Sequence, residues 1–312
     1  MKDISAGFQY DLSGLDGQTW AETLETVSEE YGFFEPVGPR YSAAFVEAGR
    51  TLLVSFESAS AIQNAQADCA PLGWSFVQSH GWSSLTVLCE HVDDWFRHPA
   101  IFGFFDRMID DGFFDDFDRI LFYGAGPGGY AAAAFSVAAP DARVLAIQPQ
   151  ATLDVARAGW DRRFPTARRL DFTSRYGYAP QMVETASDVW IIHDPQVVED
   201  AVHASLFQGD NIHHLSCPHL GDRADRSLMG IGIWTDLVEQ AMSGDLTHLG
   251  FAHLWRARQD NLKYVRTLFG KLDEDGTHPR LLARLCRAMV EDANRPLFAQ
   301  KLAELEAQGI AP

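Results

Sequence analysis

The chain has 312 residues, 46% of them hydrophobic and 22% charged, a balance that fits a packed globular protein and excludes disorder as the default. Its formal charge of −18 argues against nucleic acid and against anionic membrane surfaces as partners. No stretch approaches the ~20 apolar residues of a bilayer span, and the first thirty residues lack a basic start followed by an apolar run, so a cytoplasmic location is expected.

Residues 1–48 read as an N-terminal segment. Helical spacing over 19–31 sets Trp20, Leu24 and Val27 on one face, and 41–47 reads as a short edge strand. An α/β core is expected over 49–230. TLLVSFES (51–58) is a strand-forming run that ends in polar residues, and GWSFVQSH (73–80), after a Pro-Leu-Gly turn, reads as another strand. Cys69, Cys89, Cys217 and Cys286 have no metal-ligand spacing and read as small hydrophobes, so neither metal nor cofactor is expected. Pro99 to Asp111 has helical spacing, with Ile101, Phe104, Phe105, Met108 and Ile109 on one face. The aspartate-rich stretch from Asp106 to Asp118 lacks the D-x-D-x-D-G order of a calcium loop and reads as a solvated turn.

The segment RILFYGAGPGGYAAAAFSVAAPDARVLAIQPQ carries the clearest pattern. It divides into a strand (119–123), a glycine turn (124–129), a small-residue helix (130–138), a Pro140-Asp141 break and a strand (143–147), as a parallel βαβ crossover requires. Further strands are expected over 188–194 and 211–217, with a helix starting near Gln196 between them. The remainder, 231–312, has helical spacing over 234–242, 254–268 and 281–293, punctuated by glycines. The expected fold class is α/β: a doubly wound, mostly parallel sheet with helices on both faces and a helical C-terminal extension.

The turn Gly124-Ala125-Gly126-Pro127-Gly128-Gly129 admits two readings. Gly124, Gly126 and Gly129 match the G-x-G-x-x-G of a nucleotide loop. However, the next strand ends Ala146-Ile147-Gln148-Pro149 without the acid that holds a ribose, and Pro127 removes an N–H that a pyrophosphate would use. Alternatively, the turn is a strand-to-helix corner, where small residues are needed because the chain reverses with little room. Here YGAGPGGYAAAAFS resembles the G-x-S-x-G-G nucleophile elbow of α/β hydrolases. It is closest to the YGSSMGGYAAL-like version found in hydrolase-like proteins associated with glycan and capsule biosynthesis, and PDARVLAIQPQATLD is similar to the continuation there. The likeness covers 119–154 in sequence and 50–230 in element order.

This resemblance implies an α/β-hydrolase-like core in which Gly126 takes the serine position, Asp194 the place of the acid and His219 that of the base. Glycine supplies no nucleophile, so ordinary serine hydrolysis is not implied. A His219–Asp194 dyad could still act on water or a substrate hydroxyl. Ser58, and Ser79 beside His80, are replacement nucleophiles that read equally well as serines at the ends of elements. Of the other clustered histidines, His213 and His214 would point to opposite faces of a strand, and His193 reads as strand-end packing.

Residues 155–180 read as an Arg-rich cap insert. Arg157, Arg162, Arg163, Arg168, Arg169 and Arg175 stand against Asp154, Asp161 and Asp171. Arg162, Arg163, Arg168 and Arg169, with Gly126 and Pro127, would bind an anionic ligand; in the competing reading the arginines pair with the acids of 106–118. The cations of the C-terminal helices read as a solvated face or a homo-oligomer contact. The expected function is that of a hydrolase-like protein without its serine nucleophile that binds, and in one version processes, a small polar or anionic ligand, glycan- or ester-like. The rivals are a non-catalytic scaffold or interaction protein and a nucleotide-binding enzyme using Gly124–Gly129.

Overall fold

A computed structural model describes residues 7–65, 68–91, 94–221, 223–292 and 295–310. Helix α1 (Gly17–Tyr31) is capped by Asp16, whose side chain accepts from the Thr19 N–H. It leads into the hairpin of β1 (Gly32–Pro36) and β2 (Tyr41–Val46), and then β3 (Thr51–Ser58), α2 (Ala59–Ala65), α3 (Leu72–His80) and β4 (Ser83–Cys89). Helix α4 (Pro99–Asp110), β5 (Arg119–Ala125), α5 (Pro127–Phe135) and β6 (Arg143–Ile147) follow. A segment with two short helices, α6 (Val155–Ala158) and α7 (Ala179–Met182), precedes β7 (Asp188–His193), α8 (Val198–Ser205) and β8 (Ile212–Ser216). Helices α9 (Ala224–Ile231), α10 (Trp234–Ser243), α11 (His248–Leu254), α12 (Leu262–Asp275), α13 (Pro279–Asp292) and α14 (Pro296–Ala307) complete the chain. The helix expected over 281–293 is α13; position 293 lies outside the described residues.

The eight strands form one sheet in the order β1-β2-β4-β3-β5-β6-β7-β8. β2 pairs antiparallel with β1 and β4, and every other pairing is parallel. Residues before position 49 therefore supply two strands of the sheet, and β2 lies one place in from the edge. The central strands are covered on both faces, which is why they are apolar at successive positions. Leu52, Val54, Phe56, Phe122 and Val144 pack into one cluster, and Leu53, Leu121, Tyr123, Leu145 and Trp190 into the opposite one. On the first face the Phe56 ring stacks on Phe105 of α4 (5.8 Å) and Phe135 of α5 (5.6 Å), which stack on each other at 4.5 Å. Helices α12, α13 and α14 bury a separate cluster that includes Phe269, Leu282 and Phe298.

Two elements differ from the expectation. GWSFVQSH is helix α3, ended by Gly81 in the left-handed conformation. Trp74 and Val77 face one apolar cluster while Phe76 faces another and stacks on Trp82, so a helix wedged between two cores mimics strand alternation. The missed strand β4 is central and wholly buried, yet three of its seven residues are Ser83, Ser84 and Thr86. The Ser83 hydroxyl donates to Gly49 O and accepts from the Ala48 N–H, and the Thr86 hydroxyl lies 3.1 Å from that of Ser55, which offsets part of the cost of burial; the buried Ser84 hydroxyl has no partner among the described residues. Among the described residues no helix is long and apolar enough to cross a membrane.

Candidate functional site

The corner between β5 and α5 lies at the C-terminal edge of the sheet. Gly126 holds it at φ +54° and ψ −121°, a conformation an L-residue adopts only with strain. Its N–H donates to Ile147 O on β6, and its carbonyl accepts from the Tyr130 N–H, which starts the helix. The flanking glycines are dictated by packing. A Cβ on Gly124 would meet Gly128 O at 2.1 Å, and one on Gly128 would meet Phe56 O at 2.4 Å. At Gly126 a Cβ would have nothing within 4 Å. Of these three glycines Gly126 is open, whereas Gly124 and Gly128 are closed by neighbouring backbone.

Gly126, Pro127 and Gly128 border a cavity of about 720 Å³. Its wall comes from the end of β3 and the start of α2 (Glu57, Ser58, Ser60), from Asp94, from Gln148 after β6, and from Arg223, Asp225 and Arg226 at α9. Ser58 lies here, its Oγ 2.9 Å from Ser60 Oγ and accepting from the Ala61 N–H. Glu57 is buried, with 9% of its surface exposed, and has no cationic partner among the described residues. Burial pushes its carboxyl up to about 7, against the opposing pull of the Ser55 hydroxyl (2.6 Å) and the Leu72 N–H (3.2 Å). The Tyr41 hydroxyl donates its proton between the two Asp94 oxygens, at 2.7 and 2.9 Å, and burial, with this hydrogen bond, holds that proton more tightly than usual.

Gln148 is the hub of this edge. Its Nε2 donates to Asp200 and to Gly221 O, and its Oε1 accepts from the Ala224 N–H at the start of α9. Neither it nor Glu57 was singled out from the sequence. The available signal for Glu57 was a carboxylate inside an otherwise apolar strand.

Asp194 follows β7 and His219 follows β8, so both sit at the same edge as Gly126. They do not meet as a hydrogen-bonded pair. The buried Asp194 carboxylate accepts from the Gln196 and Gly221 N–H groups and so ties the two post-strand loops together. His219, in the left-handed backbone region at φ +64°, places Nε2 3.4 Å from Gln196 Nε2, and its buried Nδ1 has no partner. Burial and the nearby Lys271 ammonium hold this imidazole below its ordinary value, despite the opposing pull of Asp194. His219 lines a second cavity, of about 390 Å³, which shares Arg223 and Arg226 with the first.

The arginine-rich segment borders neither cavity. Arg163 is bound by Asp161 (2.8 Å) and Asp200 (2.7 Å). Buried His203 joins them: its Nε2 donates to Asp161 at 3.0 Å, and its Nδ1 accepts from the Ala151 N–H. Burial alone would raise the Asp161 carboxyl, but the His203 and Arg163 hydrogen bonds outweigh it and hold the group well below the usual range. Arg175 pairs with Asp106, joining the segment to the acidic stretch. Arg157 lies over the Tyr178 ring, and Arg168 donates to Gly159 O; no ion pair holds Arg162 or Arg169 among the described residues.

His213 contacts Asp188, His214 contacts Phe207 O, and His193 is buried at the end of its strand. Ser79 forms a surface line with His80 (2.7 Å) and Glu239 (3.2 Å from His80), but its hydroxyl also donates to Ser75 O, and it borders neither cavity. Among the described residues no group of His, Cys, Asp and Glu is arranged to hold a metal ion.

No family model matches the chain, and no curated protein matches it by sequence. Solved structures similar to it include an acylaminoacyl peptidase from Pyrococcus horikoshii, at 10% identity over 68% of this chain and 41% of that one (TM-score 0.44). An esterase from Pyrobaculum calidifontis is similar at 13% identity over 75% and 95% (TM-score 0.45). A glycosylation-associated protein complex from Streptococcus agalactiae is similar at 13% identity over 69% and 46% (TM-score 0.43). The chain thus spans less than half the length of the peptidase and of the glycosylation-associated protein.

Proposed function

We propose that this chain, which has an α/β-hydrolase-like fold, is a hydrolase-like protein without a serine nucleophile that binds a small polar or anionic ligand, glycan- or ester-like, in the cavity above Gly126. The observation that carries this reading is the elbow itself. The strained corner geometry is present, the flanking glycines are closed by backbone, and the one open position holds no side chain, under a cavity of about 720 Å³. A mixed wall of Arg223, Arg226, Glu57, Asp94 and the Ser58–Ser60 hydroxyls suits a ligand with both hydroxyl and acidic groups. Processing of that ligand would rest on Glu57, which can exchange a proton near neutral pH inside this cavity, rather than on His219, which borders the other.

The test is a thermal-shift screen of sugar acids, sugar esters and small carboxylates. A ligand at about 100 times its dissociation constant stabilises the fold by roughly 2.7 kcal/mol. A hit should lose that shift in Ser60→Trp, which places a bulky ring at the cavity wall, and keep it in Lys263→Gln. If the whole panel fails to shift the protein, the binding reading is refuted and the scaffold alternative stands.

A further inference from the structure

We propose that the cleft between α9 and α12 is a separate binding site for a small molecule bearing a multiply charged oxyanion of the phosphate or sulfate class. The cleft, of about 390 Å³, is lined by Arg223, Arg226, Lys263 and Lys271, and the described lining residues include no carboxylate. That is unexpected in a chain with 43 acidic residues against 25 lysines and arginines. Several cations elsewhere are paired with acids, among them Arg50 with Asp118, Arg107 with Glu35, Arg163 with Asp161 and Asp200, and Lys301 with Asp273. Among the described residues Arg223, Arg226 and Lys263 make no ion pair, and Lys271 donates only to the neutral Gln196 Oε1, at 3.0 Å.

The walls are built to hold these charges together. Lys263, Thr267 and Lys271 are spaced by four along α12, so two ammoniums and a hydroxyl line one face. Asn261 caps α12 through Oδ1 to the Tyr264 N–H, and its Nδ2 donates to Gly230 O on α9, so one side chain fixes the two walls to each other. The Tyr264 hydroxyl donates to Pro218 O and anchors α12 to the loop that carries His219. Like charges lining one cleft repel, and an anion that accepts from several of them at once relieves the repulsion through charge-assisted hydrogen bonds. The size of the cleft suits a small molecule, and the charge of −18 over the whole chain disfavours a long polyanion.

Isothermal titration of the full chain with inorganic pyrophosphate, and separately with sulfate, tests the site. One equivalent of pyrophosphate should bind, more tightly than sulfate and more weakly as salt rises. Lys263→Gln with Lys271→Gln should weaken binding about tenfold or more, while Ser60→Trp, in the elbow cavity, should leave it unchanged. Circular dichroism of the double variant checks that it is folded; should it not be, each single variant is titrated instead and should weaken binding on its own. Absence of binding at millimolar pyrophosphate and low salt overturns the proposal, as does binding indifferent to both lysines. Because Arg223 and Arg226 also border the elbow cavity, pyrophosphate binding that Ser60→Trp abolishes and the lysine variants leave intact is binding in that cavity and overturns the proposal.

Discussion

Replacing Glu57 by glutamine isolates the energetic cost of a carboxylate in the elbow cavity. Burial raises this carboxyl from 4.5 to about 7, so the folded chain keeps the proton over a pH range in which the unfolded chain has released it. The stability that Glu57 contributes is therefore intact below its unfolded value and is lost as pH rises through about 7. A shift of this size corresponds to about 3 kcal/mol at most, because each pKa unit is worth about 1.4 kcal/mol. Glu57→Gln keeps the shape, an acceptor for Ser55 and Leu72, and an uncharged head. Urea unfolding at about pH 4, 6 and 8 should give equal stabilities at the acid end and a variant more stable by up to about 3 kcal/mol at the alkaline end. A difference that does not change with pH, or a variant weaker at pH 8, would refute the placement of Glu57 as a buried, unpaired carboxyl.

Gly126→Ser should fold with a loss of about 1–3 kcal/mol, since its Cβ has room but its backbone is strained, and should show no esterase turnover on p-nitrophenyl esters because His219 borders the other cavity. Turnover would mean that the histidine reaches the corner. Gly128→Ala should cost about 3 kcal/mol or more in chemical denaturation, as its Cβ would meet Phe56 O at 2.4 Å. Asp161→Asn should cost about 3–5 kcal/mol near neutral pH by leaving Arg163 and His203 without their shared carboxylate. Because that carboxyl is held below its usual range, the wild type should lose the same stability as pH falls below the ordinary carboxylate value, while the variant should not. A fluorophosphonate probe should leave the wild type unlabelled; modification at Ser58 or Ser79 would identify a nucleophile that the present geometry does not support.

The parallel centre of the sheet was legible because β3, β5, β6 and β7 are buried on both faces and are written in continuous apolar runs bounded by turns. The glycine corner was legible for a related reason: close backbone approach admits no side chain at 124 or 128. β4 was hidden by its hydroxyl residues, of which Ser83 bonds the connection before β3 and Thr86 neighbours Ser55 on β3, and α3 by its position between two apolar clusters, neither of which can be read from local periodicity. The chain order of Gly126, Asp194 and His219 placed them at one edge of the sheet, but order does not encode side-chain direction. Asp194 is committed to two backbone N–H groups, and His219 is turned by its left-handed backbone. Arg223 and Arg226 entered the cavity wall through α9, well beyond the segment whose arginine density drew attention.

The stacked rings of Phe56, Phe105 and Phe135 give the corner a firm underside. Phe56 contributes both a ring to that layer and the carbonyl against which Gly128 rests, while Phe135 ends the helix that begins at the corner. Dispersion contacts on the sheet's far face therefore fix the height of the cavity floor, so its shape is set before any ligand arrives. Trimming Phe105 or Phe135, neither of which lines the cavity, would loosen the floor from beneath and weaken recognition at a distance.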